Sequence, residues 1–286
     1  MKKFLFNIFF DFLKVINFFS KKIFKENLFF KINETIEVEA YENKKILGND
    51  IKFFVPNKLV SFRVQTYFTK EPETIEWINK FDNTNKFYFW DIGSNIGLFS
   101  IYAALKHSNV TVISFEPSTS NLRILSRNIS INSLNNKIQI FQVPLGDKPK
   151  SFLQMNESSF SEGSALHSYS KNINHQGHEF SAINNYNIYG TTINDLISEN
   201  ILDVPKYMKI DIDGLEHLVL KEGDKCLSSN KLKSISIEIN ENFKEQLDKI
   251  LEIMKNNNYR FKQKKRSCLI DYDKSFSRTY NYVFEK

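Results

Sequence analysis

The regular alternation of strand-like and helix-like segments after Phe87 constrains the fold of this chain more than any other feature. Short apolar runs alternate with stretches that have helical periodicity. The predicted strands cover residues 87–92, 110–115, 138–143, 207–212, 235–239, 259–262 and 280–284, and the predicted helices cover 97–107, 119–132, 215–222 and 242–256. The pattern predicts an α/β fold, with a seven-stranded, mostly parallel sheet and helices on both faces.

The composition excludes several classes of protein. A chain of 286 residues with 41% hydrophobic and 25% charged residues can bury a full core. Its two cysteines, Cys226 and Cys268, are too few for a disulfide framework or an iron–sulfur cluster, and they favour a reducing compartment. The net charge of +6 comes from lysines spread over most of the chain, which is more typical of a solvated surface than of a nucleic-acid site.

Residues 1–30 are predicted to form an amphipathic helix. Asn7, Asp11, Lys14 and Asn17 interrupt its apolar run, so the segment matches neither a transmembrane helix nor a signal peptide. We expect a cytoplasmic protein. The helix either docks on the domain or on a second subunit, or lies on an anionic membrane surface, at the inner membrane. Its apolar face consists of Phe4, Leu5, Ile8, Phe9, Phe12, Val15, Ile16 and Phe19.

Residues 31–70 are predicted to form short strands, on the extended runs at 51–55 and 60–67. Thr69 is the expected cap of a short helix that reaches residue 81, with Pro72 in its first turn. Residues 71–286 are expected to form the main domain. Within it, the polar segment 151–191 interrupts the alternation, and we interpret this segment as an insertion over the functional site.

A glycine turn follows the first strand of the main domain, in the sequence Asp91-Ile-Gly-Ser-Asn-Ile-Gly. Gly93 lets the backbone turn close to a ligand, and Gly97 lets the next helix approach the strand. Ser94 and Asn95 separate the glycines in a way that departs from the G-x-G-x-x-G of nicotinamide sites, and no P-loop follows. We expect this turn, from Asp91 to Gly97, to bind a cofactor.

Acidic residues follow the next two strands. Glu116 ends the second strand, 19 residues after Gly97, where a carboxylate can accept both ribose hydroxyls of a nucleoside. Asp147 follows the third strand together with Gly146. This pair suits the edge of an adenine, although Asp147 fits a simple turn equally well.

The fourth strand ends in a third acidic group. Asp211 and Asp213 point to the same side at the carboxyl end of a central strand, and Glu216 is close behind. Such acids serve as a general base for a hydroxyl, or as ligands of a divalent metal ion. We assign Asp211 to chemistry, whereas Asp213 and Glu216 act there or cap the next helix. Asp211 and Asp213 are the candidate ligands if a metal is bound.

Two further residues complete the candidate site. His217 is the alternative base if Asp211 is only structural. Glu238 lies one strand over, where it either binds the acceptor or is a structural acid. The candidate catalytic residues are therefore Asp211, Asp213 and His217, and the candidate substrate-binding residues are Glu216 and Glu238.

The sequence resembles the FkbM-type methyltransferases, a class I, Rossmann-like family that depends on S-adenosylmethionine (SAM). The resemblance extends over about residues 65–240, and it rests on Lys70-Glu-Pro-Glu-Thr, the turn with its flanks at 89–104, Phe115-Glu-Pro and the segment 209–223. It implies a SAM-binding domain at 71–286, with Glu116 at the ribose and the glycine turn at the methionine part. The family often has alanine at the position of Ser94. Residues 1–30 and 151–191 lie outside the match.

The resemblance implies methyl transfer to oxygen, on a hydroxyl of a carbohydrate, a surface-glycan precursor or a secondary metabolite. The expected partner is thus a small-molecule or glycan acceptor. Two alternatives remain open. The basic run at 262–266 is compatible with RNA ribose methylation, and the apolar N-terminal helix with a non-catalytic, membrane-associated binding module on the same fold.

Overall fold

The computed structural model describes residues 2–266 and 276–286, so Cys268 lies outside the described residues. The helices are α1 (Lys2–Ile23), α2 (Leu28–Glu39), α3 (Lys58–Gln65), α4 (Pro72–Asn79), α5 (Leu98–Lys106), α6 (Thr119–Ile131), α7 (Ile193–Ser198), α8 (Glu216–Lys221), α9 (Asp224–Ser228) and α10 (Lys244–Asn256). The strands are β1 (Tyr41–Ile46), β2 (Asn49–Phe54), β3 (Phe87–Ile92), β4 (Val110–Phe115), β5 (Ile138–Phe141), β6 (Ser151–Glu157), β7 (Ser168–Tyr169), β8 (Asn184–Gly190), β9 (Tyr207–Ile210), β10 (Ser234–Asn240), β11 (Arg260–Lys265) and β12 (Thr279–Glu285).

The main sheet confirms the predicted fold class. Its seven strands follow the order β11-β12-β10-β9-β3-β4-β5. The five strands from β10 to β5 are parallel, whereas β12 is antiparallel to both of its neighbours. The chain order reverses between β3 and β9, and in open α/β sheets ligands bind at the carboxyl ends of the strands beside such a reversal.

Both faces of the sheet are covered by apolar side chains. Phe89 and Trp90 are consecutive residues of β3, and neither is exposed to solvent. Phe89 packs in one core with Val112, and Trp90 packs in the opposite core with Ile113. Because successive side chains of a strand point to opposite faces, this burial requires helices on both sides of the sheet.

The prediction of a strand at 60–67 is wrong, because this segment contains helix α3. The side chain of Asn57 caps the helix by accepting a hydrogen bond from the amide of Val60, at 2.9 Å. Val60 and Val64 are four residues apart and share the buried face. The cap and this packing outweigh the strand preference of valine. The predicted run at 51–55 is found as β2, which pairs with β1 in a hairpin.

The N-terminal segment also differs from the prediction. Helix α1 ends at Ile23, and a second helix, α2, occupies residues that were expected to be extended. Asn27 begins α2 by accepting a hydrogen bond from the amide of Phe29. Thr69 does not cap α4, because that helix begins at Pro72 with Glu71 in the capping position. None of the described helices combines the length and the hydropathy needed to cross a bilayer.

Residues 151–191 form a second layer beside the main sheet. Their strands make a three-stranded antiparallel sheet in the order β7-β6-β8. Glu157 fastens this sheet to the domain, since its carboxylate accepts hydrogen bonds from the hydroxyls of Ser118 and Tyr186. The insertion is therefore tied to the segment that follows β4.

Candidate active site

A cavity of about 360 Å³ lies at the carboxyl ends of β3, β4, β9 and β10. Its wall includes the glycine turn, the acidic segment after β9, residues of α3 and part of the insertion. The sheet thus places the cavity at the predicted edge. The predicted site residues that line it are Gly93, Ser94, Asn95, Glu116, Asp211, Asp213 and Glu238.

The glycine turn brings β3 and β9 very close together. Gly93 has a φ of +83°, and a Cβ atom there would come 1.8 Å from the carbonyl oxygen of Asp211. Gly97 has a φ of +89°, and a Cβ atom there would come 2.6 Å from Cδ1 of Leu125. Both positions therefore require glycine, for conformation as well as for space.

Glu116 is held by backbone amides at the edge of the cavity. The amide of Asn95 donates to its Oε2 at 2.8 Å, and the amide of Ser118 donates to its Oε1 at 2.9 Å. Burial raises the pKa of Glu116 to about 8, although these two bonds favour the ionised form. A carboxylate has about four acceptor positions, so two remain for a ligand that carries hydroxyl groups.

Three carboxyl groups converge in the cavity wall at the ends of β9 and β10. One oxygen each of Asp211, Asp213 and Glu238 lies within 4.8 Å of the others. Burial, and then the charge of Asp211, raise the pKa of Asp213 to about 6. Burial together with Asp211 and Glu71 raises the pKa of Glu238 well above its usual range. With a pKa of about 6, Asp213 is mostly ionised at neutral pH, whereas the neutral form of Glu238 is favoured relative to an ordinary glutamate.

The negative charges of these acids are offset by two lysines that the sequence analysis did not assign to the site. The ammonium of Lys209 lies 2.6 Å from Oδ2 of Asp211, and that of Lys70 lies 2.8 Å from Oε1 of Glu71. Burial opposes the charge on Lys209, but the surrounding carboxylates outweigh it and raise its pKa. Burial likewise opposes the charge on Glu71, yet Lys70 and Lys209 lower its pKa to about 2. These pairs keep Asp211 and Glu71 in fixed positions.

The position of Lys209 beside Asp211 could have been predicted from the sequence. Lys209 precedes Asp211 by two residues in an otherwise apolar strand, so the two side chains point to the same side. Arg63 and Glu71 had no comparable pattern, because residues 60–67 were predicted to form a strand and Glu71 was noted within the run Lys70-Glu-Pro-Glu-Thr, not as a site residue. Their place beside the cavity depends on tertiary packing.

The insertion covers one side of the cavity. The carbonyl oxygen of Ser164 accepts hydrogen bonds from the amide groups of Asn95 and Asn121, at 2.8 and 3.0 Å. Oδ2 of Asp213 accepts a hydrogen bond from the amide of Leu166 at 2.6 Å. Among the histidines of the insertion, His167 lines the cavity. The insertion is thus bonded to both the cofactor turn and the acidic cluster.

Five of the predicted site residues lie outside the cavity lining, namely Asp91, Gly97, Asp147, Glu216 and His217. Asp91 is fully buried, and its Oδ2 accepts a hydrogen bond from the hydroxyl of Ser100 in α5. It therefore anchors the helix that follows the glycine turn. Beyond β5 the cavity wall is formed by Val143, Pro144 and Leu145, so Asp147 is set back from it.

Glu216 and His217 support the site from behind. The carboxylate of Glu216 accepts hydrogen bonds from the amides of Ile212 and Gly214 and from Gln246, which fixes the turn after β9. The expected cap is not found, because Leu215 occupies the capping position of α8 and Asp213 bonds to the insertion instead. Burial, and then Lys249, lower the pKa of His217 to about 4, so this residue is neutral at physiological pH.

The sheet order, the glycine turn and the acidic strand ends define a class I, Rossmann-like methyltransferase. A family model described as the methyltransferase FkbM domain matches residues 91–261, more than half of the chain. The chain therefore belongs to the FkbM family of SAM-dependent methyltransferases. No curated protein sequence matches it.

Solved structures share the fold at low sequence identity. A protein from Streptococcus mutans described as a SAM-dependent methyltransferase is 9% identical with a TM-score of 0.50, and the match covers 87% of this chain and 56% of that one. SMU.776, described as a methyltransferase complexed with SAH, is 10% identical with a TM-score of 0.51 and the same coverage. The chain thus spans little more than half the length of both. A protein from Clostridium thermocellum described as an rRNA methylase is 11% identical with a TM-score of 0.46, covering 76% of this chain and 96% of that one.

The cofactor of the protein is SAM, and the cavity has a suitable chemistry for it. Among the described residues of the lining, carboxyl groups outnumber lysine and arginine by five to three, which favours a cationic sulfonium. Oδ1 of Asn95 is buried without a hydrogen-bond partner among the described residues. We expect Gly93, Ser94 and Asn95 to hold the methionine part and Glu116 to hold the ribose.

Proposed function

We propose that the protein methylates a hydroxyl group of a carbohydrate, a surface-glycan precursor or a secondary metabolite. The observation that carries this proposal is the cluster of Asp211, Asp213 and Glu238 in the cavity wall, next to the glycine turn. An alcohol has a pKa near that of water, so it needs a proton acceptor before it can act as a nucleophile. A group of half-buried carboxyl groups meets that need.

Asp213 is the proposed general base. A general base works best when its pKa is near the working pH, and the pKa of Asp213, about 6, is close to neutral pH. Its backbone lies in the left-handed region with a φ of +60°, a conformation that is costly for a residue other than glycine and is often kept at functional sites. Asp211 is held by Lys209 and positions the acceptor hydroxyl.

The proposed step moves one proton and one methyl group. Bound SAM supplies a methyl group attached to a positively charged sulfur. This sulfur is the leaving group, and it needs no activation. Asp213 takes the hydroxyl proton as the acceptor oxygen forms its bond to carbon, and the neutral thioether remains. The insertion covers one side of the cavity, and positioning of the two reactants accounts for much of the rate.

The ammonium of Lys209 bears on whether a divalent metal takes part. It already binds Oδ2 of Asp211 at 2.6 Å, so Lys209 provides the positive charge that a metal ion would otherwise supply beside this carboxylate. We propose that the acidic cluster acts without a metal. Turnover is expected to be the same with and without a chelator.

The decisive experiment measures methyl incorporation from labelled SAM into activated sugars and glycan extracts, with the product mapped to the methylated atom. We expect an O-methyl product, and a loss of turnover of about 10²–10⁴-fold in Asp213→Asn, with SAM affinity within about twofold of wild type. Glu252→Gln, which changes an exposed acid of α10, is the matched control. Methylation of RNA or of nitrogen, or full turnover in Asp213→Asn, would contradict the proposal.

A further inference from the structure

A groove of about 480 Å³ lies next to the active-site cavity and shares part of its wall. Arg63, Ser164, Ala165 and Phe276 line both spaces, so a molecule seated in the groove reaches the cavity past Arg63. The remaining wall of the groove combines apolar side chains, such as Leu59 and Leu166, with Lys58, Asn57 and serines of the insertion. A molecule bound in the groove is therefore next to the reacting groups.

The charge of the groove is opposite to that of the cavity. Its described lining contains two cations, Arg63 and Lys58, and no carboxyl group. The lining of the cavity contains more carboxyl groups than cations. A cationic cofactor suits the inner space, whereas the outer space suits an anion.

Arg63 is a cation that forms no ion pair with any residue of 2–266 or 276–286. Its Nε donates a hydrogen bond to the carbonyl oxygen of Gly163, and its two terminal amino groups have no partner among the described residues. Burial lowers its pKa, while Asp213 and Glu71 keep it charged from a distance. A guanidinium in such surroundings gains from binding a carboxylate or phosphate through two parallel hydrogen bonds.

We propose that the groove binds an anionic group, a carboxylate or a phosphate, on the hydroxyl acceptor. Arg63 makes the main contact and Lys58 adds charge at the rim. The acceptor class would then be an acidic or phosphorylated sugar. This inference rests on the proposed function, since it assigns a substrate class to the same site.

The test measures binding of three probes to the full chain saturated with S-adenosylhomocysteine: glucuronic acid, glucose 6-phosphate and glucose. We expect at least one anionic probe to bind about tenfold more tightly than glucose, and the difference to disappear in Arg63→Gln. Arg63→Lys should retain part of it. Arg260→Gln, an exposed arginine on β11, should bind like wild type. The comparison of the two anions identifies the charged group.

Two results would overturn the inference. One is equal binding of all three probes. The other is a loss of S-adenosylhomocysteine affinity in Arg63→Gln with unchanged probe binding, since Arg63 would then hold the carboxylate of the cofactor. If the anions bind through Arg63 but no hydroxyl is methylated in any acceptor, the proposed function fails while the anion site stands.

Helix α1 carries a second, independent inference. Twelve of its large apolar side chains are exposed, among them Phe4 (67%), Phe9 (57%) and Phe19 (52%). At 100° per residue these side chains cover most of the circumference of the helix, which is wider than the stripe that one partner helix buries. Its contacts include the stacking of Phe10 on Phe29 of α2.

The charge of the same segment indicates what covers it. Residues 2–25 contain six lysines and one acidic residue, Asp11. Two copies of this helix would bring like charges together, whereas an anionic lipid surface satisfies both the lysines and the apolar side chains. We infer that α1 lies on an anionic membrane surface.

The α1–α2 pair lies beside the acceptor groove. Arg123 binds both Glu37 of α2 and Glu162 of the insertion, and Glu162 accepts a hydrogen bond from Asn57 at the wall of the groove. A membrane that holds α1 is therefore close to the entrance of the active site. This arrangement suits an acceptor presented at the membrane.

Flotation of the full chain with lipid vesicles tests this inference. We expect binding to vesicles of phosphatidylcholine with a quarter phosphatidylglycerol, little binding to phosphatidylcholine alone, and weaker binding at high salt. Phe9→Ser with Phe12→Ser should weaken binding about tenfold. Phe152→Ser, which changes an equally exposed residue of β6, should not. Absence of vesicle binding, or a dimer in solution that the Phe9 and Phe12 changes abolish, would refute it.

Discussion

Glu116 combines two backbone donors with a position shielded from water. Burial raises its pKa to about 8, so most molecules carry a proton there at neutral pH. Two ribose hydroxyls are bound best by the ionised form, because it accepts both of their hydrogen bonds. The proton must then leave when the cofactor binds, which links affinity to pH.

We therefore expect SAM affinity to rise between pH 6 and 8, by up to about tenfold per pH unit, and Glu116→Gln to bind more weakly with much less dependence on pH. Calorimetry across this range provides the measurement. Glu162→Gln serves as the control, since it removes a charge from the insertion without touching the cofactor turn. An equal slope in wild type and Glu116→Gln would show that another group is responsible.

Gly93 shows how one element depends on another. The turn after β3 passes so close to the end of β9 that a Cβ atom at Gly93 would overlap the carbonyl oxygen of Asp211. The backbone of one strand end thus determines where the acidic residues of the next can lie. A change at Gly93 acts on the cofactor turn and on the acidic cluster together.

Gly48 provides a matched control for this effect. It has the same φ of +83° as Gly93, but nothing lies within 4 Å of a Cβ atom placed there. We expect Gly48→Ala to cost about 1 kcal/mol of unfolding free energy, and Gly93→Ala to cost about 2–4 kcal/mol and to abolish SAM binding. Chemical denaturation and calorimetry measure the two effects. Equal costs at both positions would mean that conformation alone, and not the contact with Asp211, explains the glycine.

The central strands β3, β4, β9 and β10 of the main sheet were predictable because they are buried on both faces. Residues 87–92 and 110–115 appear with the predicted bounds. Helix α3 was not predictable in the same way, since Val60 and Val64 favour strands and the cap at Asn57 gives only a weak local pattern. Arg63 was missed as a consequence, although it is central to the proposed groove.

At the scale of the molecule, the candidate site divides into a predictable and an unpredictable half. The glycine turn, Glu116 and Asp211 follow strands in the sequence, and parallel strands bring their ends to one edge. The cations and the insertion residues come from segments whose positions depend on packing across the fold. Ser164 and Leu166 are placed by hydrogen bonds to Asn95 and Asp213, which no periodicity reveals.

The hydrogen bond from the amide of Leu166 to Asp213 joins the proposed base to the segment above it. A carboxylate is a stronger acceptor than a protonated carboxyl group, so this bond weakens once Asp213 has taken a proton. The part of the insertion around Leu166 would therefore be held less firmly over the cavity once the methylated product has formed. Proton transfer to Asp213 would then both accompany methyl transfer and favour release of the product.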